Sequence, residues 1–313
     1  MNILLTGCAG FIGFHLALSL KKKGYKIFGI DNLSSSSKKT QKKRIEILKK
    51  NKIFYIKEDL SKKGSLKLFK KKKINFIIHL AAQPGVRISQ DKPNETINNN
   101  VIAYLNVLEF AKERFIKNIF FASSSSVYGN LKKFNEKASV YETTSIYAST
   151  KLYNEIISYT YHHLYKINFI GMRFFSIYGA YGREDMAYYK FLNKIKSNMP
   201  IEIYGSVNSS RSYTYIDDVI KVIEKLIIKK SKEKKYFDIL NVGNSKSVKL
   251  RKIIDIIKKN INKNIKVVIR PRNNSDVKIT KANNNLLFSK IKYKPETQIE
   301  KGYLNFLNWF KKL

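Results

Sequence analysis

The segment Asn2-Ile-Leu-Leu-Thr-Gly-Cys-Ala-Gly-Phe-Ile-Gly13 decides the fold of this 313-residue chain. Its apolar run is followed at once by three glycines at the spacing G-x-x-G-x-x-G (Gly7, Gly10 and Gly13), and then by a leucine- and lysine-rich stretch that stops at Gly24. Such a turn between a strand and a helix lets a pyrophosphate approach the backbone, where the helix N-terminus stabilises negative charge. The segment therefore predicts a dinucleotide-binding strand–turn–helix.

Short β-branched or aromatic runs alternate with amphipathic stretches through the first two thirds of the chain. This alternation predicts an α/β, Rossmann-type doubly wound fold with a parallel sheet. The expected helices are Phe14 to Lys23, Asn98 to Phe115 and Ile146 to Tyr165. The expected strands are Asn2 to Thr6, Lys26 to Ile30, Ile53 to Lys57, Phe76 to His79, Asn118 to Ala122, Phe169 to Phe174 and Phe237 to Val242.

The regular alternation ends near residue 176, where glycines mark loops. We expect a nucleotide-binding domain over residues 1–175, to which residues 217–249 return. Residues 176–216 and 250–313 are expected to form a smaller, interleaved α/β lobe that binds substrate.

The formal net charge of +38 ordinarily suggests a polyanionic partner. The lysines are scattered along the chain beside an excess of Asn and Ile, whose codons are also A/T-rich, so we expect no dedicated nucleic-acid partner. The single cysteine, Cys8, favours a reducing compartment and hence the cytoplasm. The sequence has no uncharged run of about 18 apolar residues, so we expect no insertion into a membrane.

Two aspartates follow predicted strands at positions that suit a dinucleotide. Asp31 lies roughly 20 residues beyond the glycines, where a carboxylate accepts hydrogen bonds from the adenosine ribose and repels a 2′-phosphate, so NAD is preferred to NADP. Asp59 follows the third strand, where its carboxylate either meets the adenine edge or caps a helix, and the pattern leaves both interpretations open.

A tyrosine and a lysine share one face of the predicted helix in Tyr147-Ala-Ser-Thr-Lys151. Tyrosine, with an ordinary pKa of about 10, is a poor base at neutral pH unless a nearby cation favours its phenolate. The preceding strand also delivers the hydroxyls of Ser123 to Ser126 to the sheet edge where ligands of such folds bind. We predict that Tyr147 and Lys151 act in catalysis, and we expect no metal ion.

Together these motifs resemble the extended short-chain dehydrogenase/reductases of the NAD-dependent epimerase/dehydratase group, and within it the UDP-glucuronate 4-epimerases. The resemblance covers nearly the whole chain. The motifs are Gly7 to Gly13, Asp31 to Leu33, His79 to Arg87, Asn100-Val101, Ser123 to Gly129, Tyr147 to Lys151, Arg173 to Gly179, Gly182 to Ala187 and Arg211 to Asp218.

The resemblance implies NAD as cofactor and a UDP-sugar as substrate of the smaller lobe. It places the family's catalytic triad on Ser124, Tyr147 and Lys151. Tyr147 then takes the proton from the C4 hydroxyl while the C4 hydride passes to the nicotinamide, and the resulting 4-keto sugar turns over and receives the hydride on its other face. The cofactor contacts implied are Gly7, Gly10, Phe11, Ile12, Gly13, Asp31, Asn32, Asp59, Leu60, Leu80, Ala81, Ala82, Gln83, Asn100, Tyr147 and Lys151.

Three serines point to a uronic acid. Relatives that dehydrate their sugar are acidic at the two positions after the triad serine, and UDP-glucuronate decarboxylases carry glutamate where Ser126 stands, whereas this chain has Ser125 and Ser126. Neutral hydroxyls suit a substrate carboxylate, which a glutamate would repel. Ser176 adds a hydroxyl where epimerases of neutral sugars usually have asparagine. We predict that these serines meet the C5 carboxylate of UDP-glucuronate, which becomes UDP-galacturonate.

The resemblance also places the UDP moiety and leaves alternatives open. Arg211 and Asp276 match positions that meet the diphosphate and the uridine ribose, and Arg87 and Arg183 match other polar positions near the substrate. Because a 4-keto uronate is a β-keto acid that readily loses carbon dioxide, UDP-glucuronate decarboxylation is the second interpretation. Epimerisation of UDP-glucose or UDP-N-acetylglucosamine is the third, and a catalytically inactive RNA-binding relative is the non-enzymatic one.

Two further points follow from the resemblance. A homodimer is expected, because relatives pair the helices Asn98 to Phe115 and Ile146 to Tyr165 into a four-helix bundle. The chain also departs from the family pattern around the substrate, with Ala180 and Glu184 in place of prolines. The other departures are Pro84, Ser212 and Asn283.

Overall fold

A computed structural model describes residues 1–35, 37–261, 265–271 and 279–313. Its first six strands in chain order are all built from the apolar runs that the sequence shows. The strands are β1 (Asn2–Thr6), β2 (Lys26–Asp31), β3 (Phe54–Lys57), β4 (Phe76–His79), β5 (Asn118–Ser124), β6 (Asn168–Phe174), β7 (Ser176–Tyr178), β8 (Ile201–Tyr204), β9 (Ser210–Arg211), β10 (Tyr213–Tyr215), β11 (Phe237–Val242), β12 (Val248–Lys249) and β13 (Val267–Arg270).

Seven of these strands form one sheet in the order β11-β6-β5-β4-β1-β2-β3, and every neighbouring pair is parallel. Two apolar clusters cover the sheet, one built with Leu16 and Val219 and the other with Tyr104 and Val107. The predicted Rossmann-type α/β fold is therefore confirmed.

The helices lie between the strands as the alternation requires. They are α1 (Phe11–Lys22), α2 (Lys38–Lys50), α3 (Val86–Asp91), α4 (Pro93–Ile97), α5 (Ala103–Glu113), α6 (Ile146–Tyr165), α7 (Ala187–Lys196), α8 (Ile216–Lys230), α9 (Leu250–Asn260), α10 (Asn285–Ile291) and α11 (Ile299–Phe310). A π-helical turn, Asn98–Ile102, joins α4 to α5, and short 3₁₀ turns cover Lys67–Phe69 and Ser125–Tyr128.

Helix boundaries differ from the predictions where local caps decide them. Helix α1 begins at Phe11 rather than Phe14, because Gly10 is its N-cap. The second predicted helix begins five residues before Asn98, at Pro93, whose fixed φ and missing N–H suit a first helical position. It stops before Phe115, which has a left-handed φ of 53°.

The predicted helix Ile146 to Tyr165 is confirmed at both ends. The hydroxyl of Ser145 accepts a hydrogen bond from the Ala148 N–H at 3.1 Å, as an N-cap should. Lys166, with a left-handed φ of 54°, ends the helix.

Smaller strand pairs accompany helices α7, α9 and α11 beyond the large sheet. The pairs β7/β10 and β8/β13 are parallel, and β9/β12 is antiparallel. Their shared core includes Tyr188, Ile203, Ile257 and Phe306. The chain returns to the large sheet after β10. Helix α8 packs against α1, and β11 pairs with β6 at the edge of that sheet. The proposed domain division at residues 175, 217 and 249 stays a prediction.

Candidate active site

The glycine turn after β1 is tightly packed. Gly7 has a φ of 69° and donates its N–H to the Ile30 carbonyl at 2.8 Å. A Cβ on Gly7 would lie 2.7 Å from the Ala81 nitrogen, and a Cβ on Gly13 would run into the Gly7 carbonyl oxygen. Gly10 forms the N-cap of α1. Only glycine fits at Gly7 and Gly13, and the helix N-terminus is left open to a ligand.

A cleft of about 1140 Å³ opens at the carboxyl edge of the large sheet. Most of the residues predicted for the cofactor line it: Gly7, Gly10, Phe11, Ile12, Gly13, Asp31, Asn32, Asp59, Leu60, Leu80, Ala81, Ala82, Gln83, Tyr147 and Lys151. Residues predicted for the substrate share the same wall: Arg87, Ser124, Ser125, Ser126, Ser176, Arg183 and Arg211.

Two predicted residues are placed differently. Asn100 is fully buried and does not line the cleft. Its amide binds the Gln83 backbone, accepting from the N–H at 2.7 Å and donating to the carbonyl at 3.2 Å, and also donates to the Thr150 hydroxyl at 3.0 Å. Asn100 thus holds the segment that forms the cleft wall. Asp276 lies outside the described residues.

The carboxylates of Asp31, at the end of β2, and Asp59, after β3, accept hydrogen bonds from nearby backbone N–H groups. Asp31 is buried, and its two oxygens accept from the N–H groups of Ala9 at 2.9 Å and Leu33 at 2.8 Å. Burial raises the pKa of Asp31, although these hydrogen bonds oppose the shift. Asp59 accepts from both the N–H and the hydroxyl of Ser61, at 2.9 and 2.7 Å, while it lines the cleft.

The three candidate catalytic side chains come together from β5 and α6. Ser124 is the last residue of β5, which extends two residues beyond the prediction because Ser123 and Ser124 pair with β6. The Tyr147 phenol, in the first turn of α6, lies close enough to the Ser124 hydroxyl for that group to lower the pKa of the phenol. Lys151 follows one turn later, with Nζ 6.0 Å from the centre of the Tyr147 ring.

A buried ion pair between Glu155 and Arg173 supports the positions of Ser124, Tyr147 and Lys151. Glu155, one turn beyond Lys151, accepts two hydrogen bonds from the Arg173 guanidinium at 2.9 and 2.6 Å and one from the Ser123 hydroxyl at 2.5 Å. Both partners of the pair are almost completely buried. Helix α6 is therefore fastened to β6 and to the residue directly before Ser124.

Burial governs the protonation of Tyr147 and Lys151. It raises the pKa of the Tyr147 phenol, and the Arg183 charge and the Ser124 hydroxyl pull that pKa back. Burial also lowers the pKa of Lys151 to about 8. Within the described part of the chain, the Lys151 ammonium has no hydrogen-bond partner.

These features fit a bound dinucleotide. Gly7, Gly10 and Gly13 leave backbone space that a Cβ would fill, and the α1 N-terminus favours a pyrophosphate. Lys151 lines the same cleft, and among the described residues its ammonium has no hydrogen-bond partner, so a hydroxyl-bearing ligand would satisfy it. The site residues present therefore match the chemistry of NAD.

Serine hydroxyls and the Arg183–Asp185 ion pair line the same cleft as Tyr147. The Ser124 hydroxyl lies 3.1 Å from the Ser126 hydroxyl and accepts the Ser126 N–H at 3.1 Å. Arg183 forms a two-pronged ion pair with Asp185, with bonds of 3.0 and 2.5 Å. Burial alone would lower the pKa of Arg183. The hydrogen bonds to Asp185 and the charge of its carboxylate outweigh this effect, so the pKa of Arg183 is raised.

Arg44 is a cleft residue that the sequence reasoning missed. It is buried, and it donates to the carbonyls of Ala9 and Tyr181, both at 2.7 Å. Burial lowers the pKa of Arg44 to about 10. A usable signal was present, because the chain has only nine arginines among its 61 basic residues. Among those that the structure describes, four line the cleft: Arg44, Arg87, Arg183 and Arg211.

The chain belongs to the NAD-dependent epimerase/dehydratase family, whose model matches residues 3–243. It is an NAD-dependent epimerase, with NAD as its cofactor. Across the described ranges, no helix has the length and apolar character needed to cross a membrane.

Individual relatives match over nearly their full lengths. An uncharacterised protein of Methanocaldococcus jannaschii is 45% identical over 99% of this chain and 96% of its own length. UDP-glucuronate 4-epimerase of Thermodesulfobacterium geofontis is 36% identical over 98% and 95%. The solved structure of Bacillus cereus UDP-glucuronic acid 4-epimerase, in complex with UDP-glucuronic acid and NAD, superimposes with a TM-score of 0.92 at 29% identity, covering 100% of this chain and 99% of that one.

The depressed pKa of Lys151 predicts a pH-dependent stability of the cofactor-free protein. The unfolded chain keeps this proton up to the ordinary value of 10.5, whereas the folded chain releases it near 8. Between these pH values the unfolded state binds more protons, so this group makes the free energy of unfolding rise with pH, by roughly 3 kcal/mol in total. Urea unfolding from pH 7 to pH 10.5 measures the rise.

Substitution isolates the contribution of this one lysine. Lys151→Met should be more stable than the parent at pH 7 and should lack the rise, while Lys72→Met, at an exposed site, should keep it. Parallel pH profiles for the parent and Lys151→Met would contradict the assignment of a buried, unpartnered cation.

Proposed function

We propose that this protein interconverts UDP-glucuronate and UDP-galacturonate by inverting C4 of the sugar through a transient 4-keto intermediate. The observation that carries the proposal is that Tyr147 and Lys151 share one face of α6 and line the cleft together with Ser124 and the neighbouring serine hydroxyls. The predicted cofactor and substrate residues that line the cleft are part of this proposal.

Tyr147 is the proposed base. Its phenolate accepts the proton of the C4 hydroxyl, and Ser124 shares the hydrogen bond so that the sugar oxygen stays in line. Lys151 favours the phenolate by its charge, because it lies on the same helix face one turn away. NAD, when bound, supplies the acceptor and then the donor of the C4 hydride. Tyr147 returns its proton to the inverted oxygen, so the cycle consumes nothing.

The wall beside Tyr147 favours a sugar carboxylate. Ser125, Ser126 and Ser176 are hydroxyl donors on the cleft wall, and none of them repels an anion. Arg183 adds positive charge within electrostatic range of Tyr147. An acid at Ser126 is what elimination or decarboxylation would call for in the related enzymes, and the chain has none there.

The names of two similar proteins support the same substrate. The Thermodesulfobacterium geofontis relative is a UDP-glucuronate 4-epimerase, and the Bacillus cereus structure holds UDP-glucuronic acid and NAD. A UDP moiety suits the arginine-rich part of the cleft, where Arg87 and Arg211 join Arg183, because guanidinium groups match phosphate oxygens in pairs.

Incubation of the purified holoenzyme with UDP-glucuronate, without added reductant, tests the proposal. We expect a product of unchanged mass that co-elutes with UDP-galacturonate. Tyr147→Phe should lower kcat by about 10²- to 10⁴-fold, because it removes the acid–base group while leaving the ring in place. Loss of carbon dioxide would make the enzyme a decarboxylase. Conversion of UDP-glucose or UDP-N-acetylglucosamine alone would keep the triad and remove the role of the serines.

We infer that the protein is a homodimer paired through the helices α4 to α6. Large apolar side chains remain exposed along them in the single chain, at Ile97, Ile102, Ile156 and Tyr159. Ile156 and Tyr159 are 60% and 59% exposed and share one face of α6. A second copy of the same face would cover these groups, as closed twofold pairing does in most soluble oligomers.

Sedimentation equilibrium measures this pairing directly. We expect a mass near twice 36.4 kDa, and Ile156→Asp should shift it toward one chain, because the substitution would bury a carboxylate in the apolar face. Ile228→Asp, at a comparably exposed site on α8, should leave the mass unchanged. A parent protein that sediments as a monomer would contradict the inference.

A further inference from the structure

The loop that follows β7 joins two functional parts of the cleft. Within residues 179–186, Arg183 and Asp185 line the cleft, and Glu184 between them does not. Glu184 instead contacts the start of helix α2, on the side of the molecule where Asp31 and Asn32 line the cofactor part of the cleft.

Glu184 caps helix α2 from a distant part of the chain. Its carboxylate accepts the Thr40 N–H at 2.7 Å, and its own N–H donates to the hydroxyl of Ser37, the N-cap residue, at 2.9 Å. Glu184 thus accepts the Thr40 N–H that the N-cap hydroxyl accepts in a capping box, while the Ser37 hydroxyl accepts the Glu184 N–H, although the two segments are far apart in sequence. Helix α2 has no acidic residue in its own first turn, so Glu184 supplies the negative charge that its N-terminus favours.

Arg44 fastens the same loop at a second point. Its guanidinium donates to the Tyr181 carbonyl and to the Ala9 carbonyl in the glycine turn, both at 2.7 Å. The Thr40 hydroxyl also donates to the Gly182 carbonyl at 3.3 Å. The loop is thus bonded to both α2 and the glycine turn.

The two Glu184 hydrogen bonds depend on the identity of this residue. A proline at position 184 would have neither an N–H for Ser37 nor a carboxylate for Thr40. Glu184 therefore makes two hydrogen bonds, one of them charge-assisted, that a proline could not make.

We propose that Glu184 is a positioning residue that holds the sugar-facing loop against the cofactor-binding segment and so slows the release of NAD. Ser34, Ser35, Gln41 and Arg44 line the cleft on this segment, so loosening α2 loosens that wall. The inference rests on the proposed function only in taking Arg183 as a residue that faces the sugar.

The rate of NAD release tests the proposal without any sugar nucleotide. Holoenzyme is saturated with NAD, freed of excess by desalting, and sampled over time for the nucleotide that remains bound. Glu184→Ala loses the charge-assisted hydrogen bond to Thr40 and should release NAD about tenfold faster than the parent, and Glu184→Pro, which also loses the N–H bond to Ser37, should release it faster still. Glu184→Gln keeps both the N–H and an acceptor oxygen but not the charge, so its release rate should lie between those of the parent and Glu184→Ala, about threefold above the parent.

Two controls separate this role from a general loss of structure or charge. Glu300→Ala removes the same charge from an exposed ion pair with Lys252 and should release NAD at the parent rate. Release by Glu184→Ala at the parent rate, or equally fast release by Glu184→Gln and Glu184→Ala, would overturn the proposal. Because no sugar nucleotide is present, an incorrect substrate assignment would leave these rates unchanged.

Discussion

The buried positive charge of Lys151 is the constraint on which the active site depends. The side chain is almost completely buried and has no hydrogen-bond partner among the described residues. An uncompensated buried charge costs several kcal/mol, and nearby groups do not relieve it. Burial and the Lys151 charge lower the pKa of His79 to about 3, so that imidazole stays neutral, and Glu155 is already paired with Arg173. The chain therefore carries a destabilised cation that a ligand in the cleft satisfies.

Helix α6 turns this constraint into a catalytic arrangement. Tyr147, Lys151 and Glu155 follow each other at intervals of four residues and so lie along one helix face. Tyr147 lies beside Ser124, and Lys151 places its charge 6.0 Å from the centre of the Tyr147 ring. Glu155 binds the Arg173 guanidinium. One rigid element thus sets the distances among the proposed base, the cation and the sheet edge, as preorganised catalysis requires.

Periodicity within segments predicted the large sheet and helix α6, because the signals for both are local. The seven strands of the sheet follow apolar runs, and α6 has a serine N-cap at Ser145. The small strand pairs outside the large sheet were not predicted, because four of their six strands are only two or three residues long and carry almost no pattern. Glycine spacing and the Tyr147–Lys151 interval led to residues that share one cleft.

Contacts between distant segments could not be predicted in the same way. Thr40 and Glu184 are 144 residues apart, and no spacing rule relates them. Asn100 likewise holds the Gln83 backbone from a buried position, which sequence reasoning cannot distinguish from a direct ligand contact. Such long-range hydrogen bonds depend on the completed fold, and here they bind Glu184 to the start of helix α2 and hold the cleft wall at Gln83.

An isotope experiment tests whether the C4 hydride leaves and returns within one site. UDP-glucuronate deuterated at C4 is incubated with the holoenzyme in ordinary water, and the UDP-galacturonate formed is analysed by mass spectrometry and NMR. We expect essentially all of the deuterium to stay at C4 of the product, because the same hydride leaves and returns. Replacement of the C4 deuterium by solvent hydrogen would contradict this mechanism.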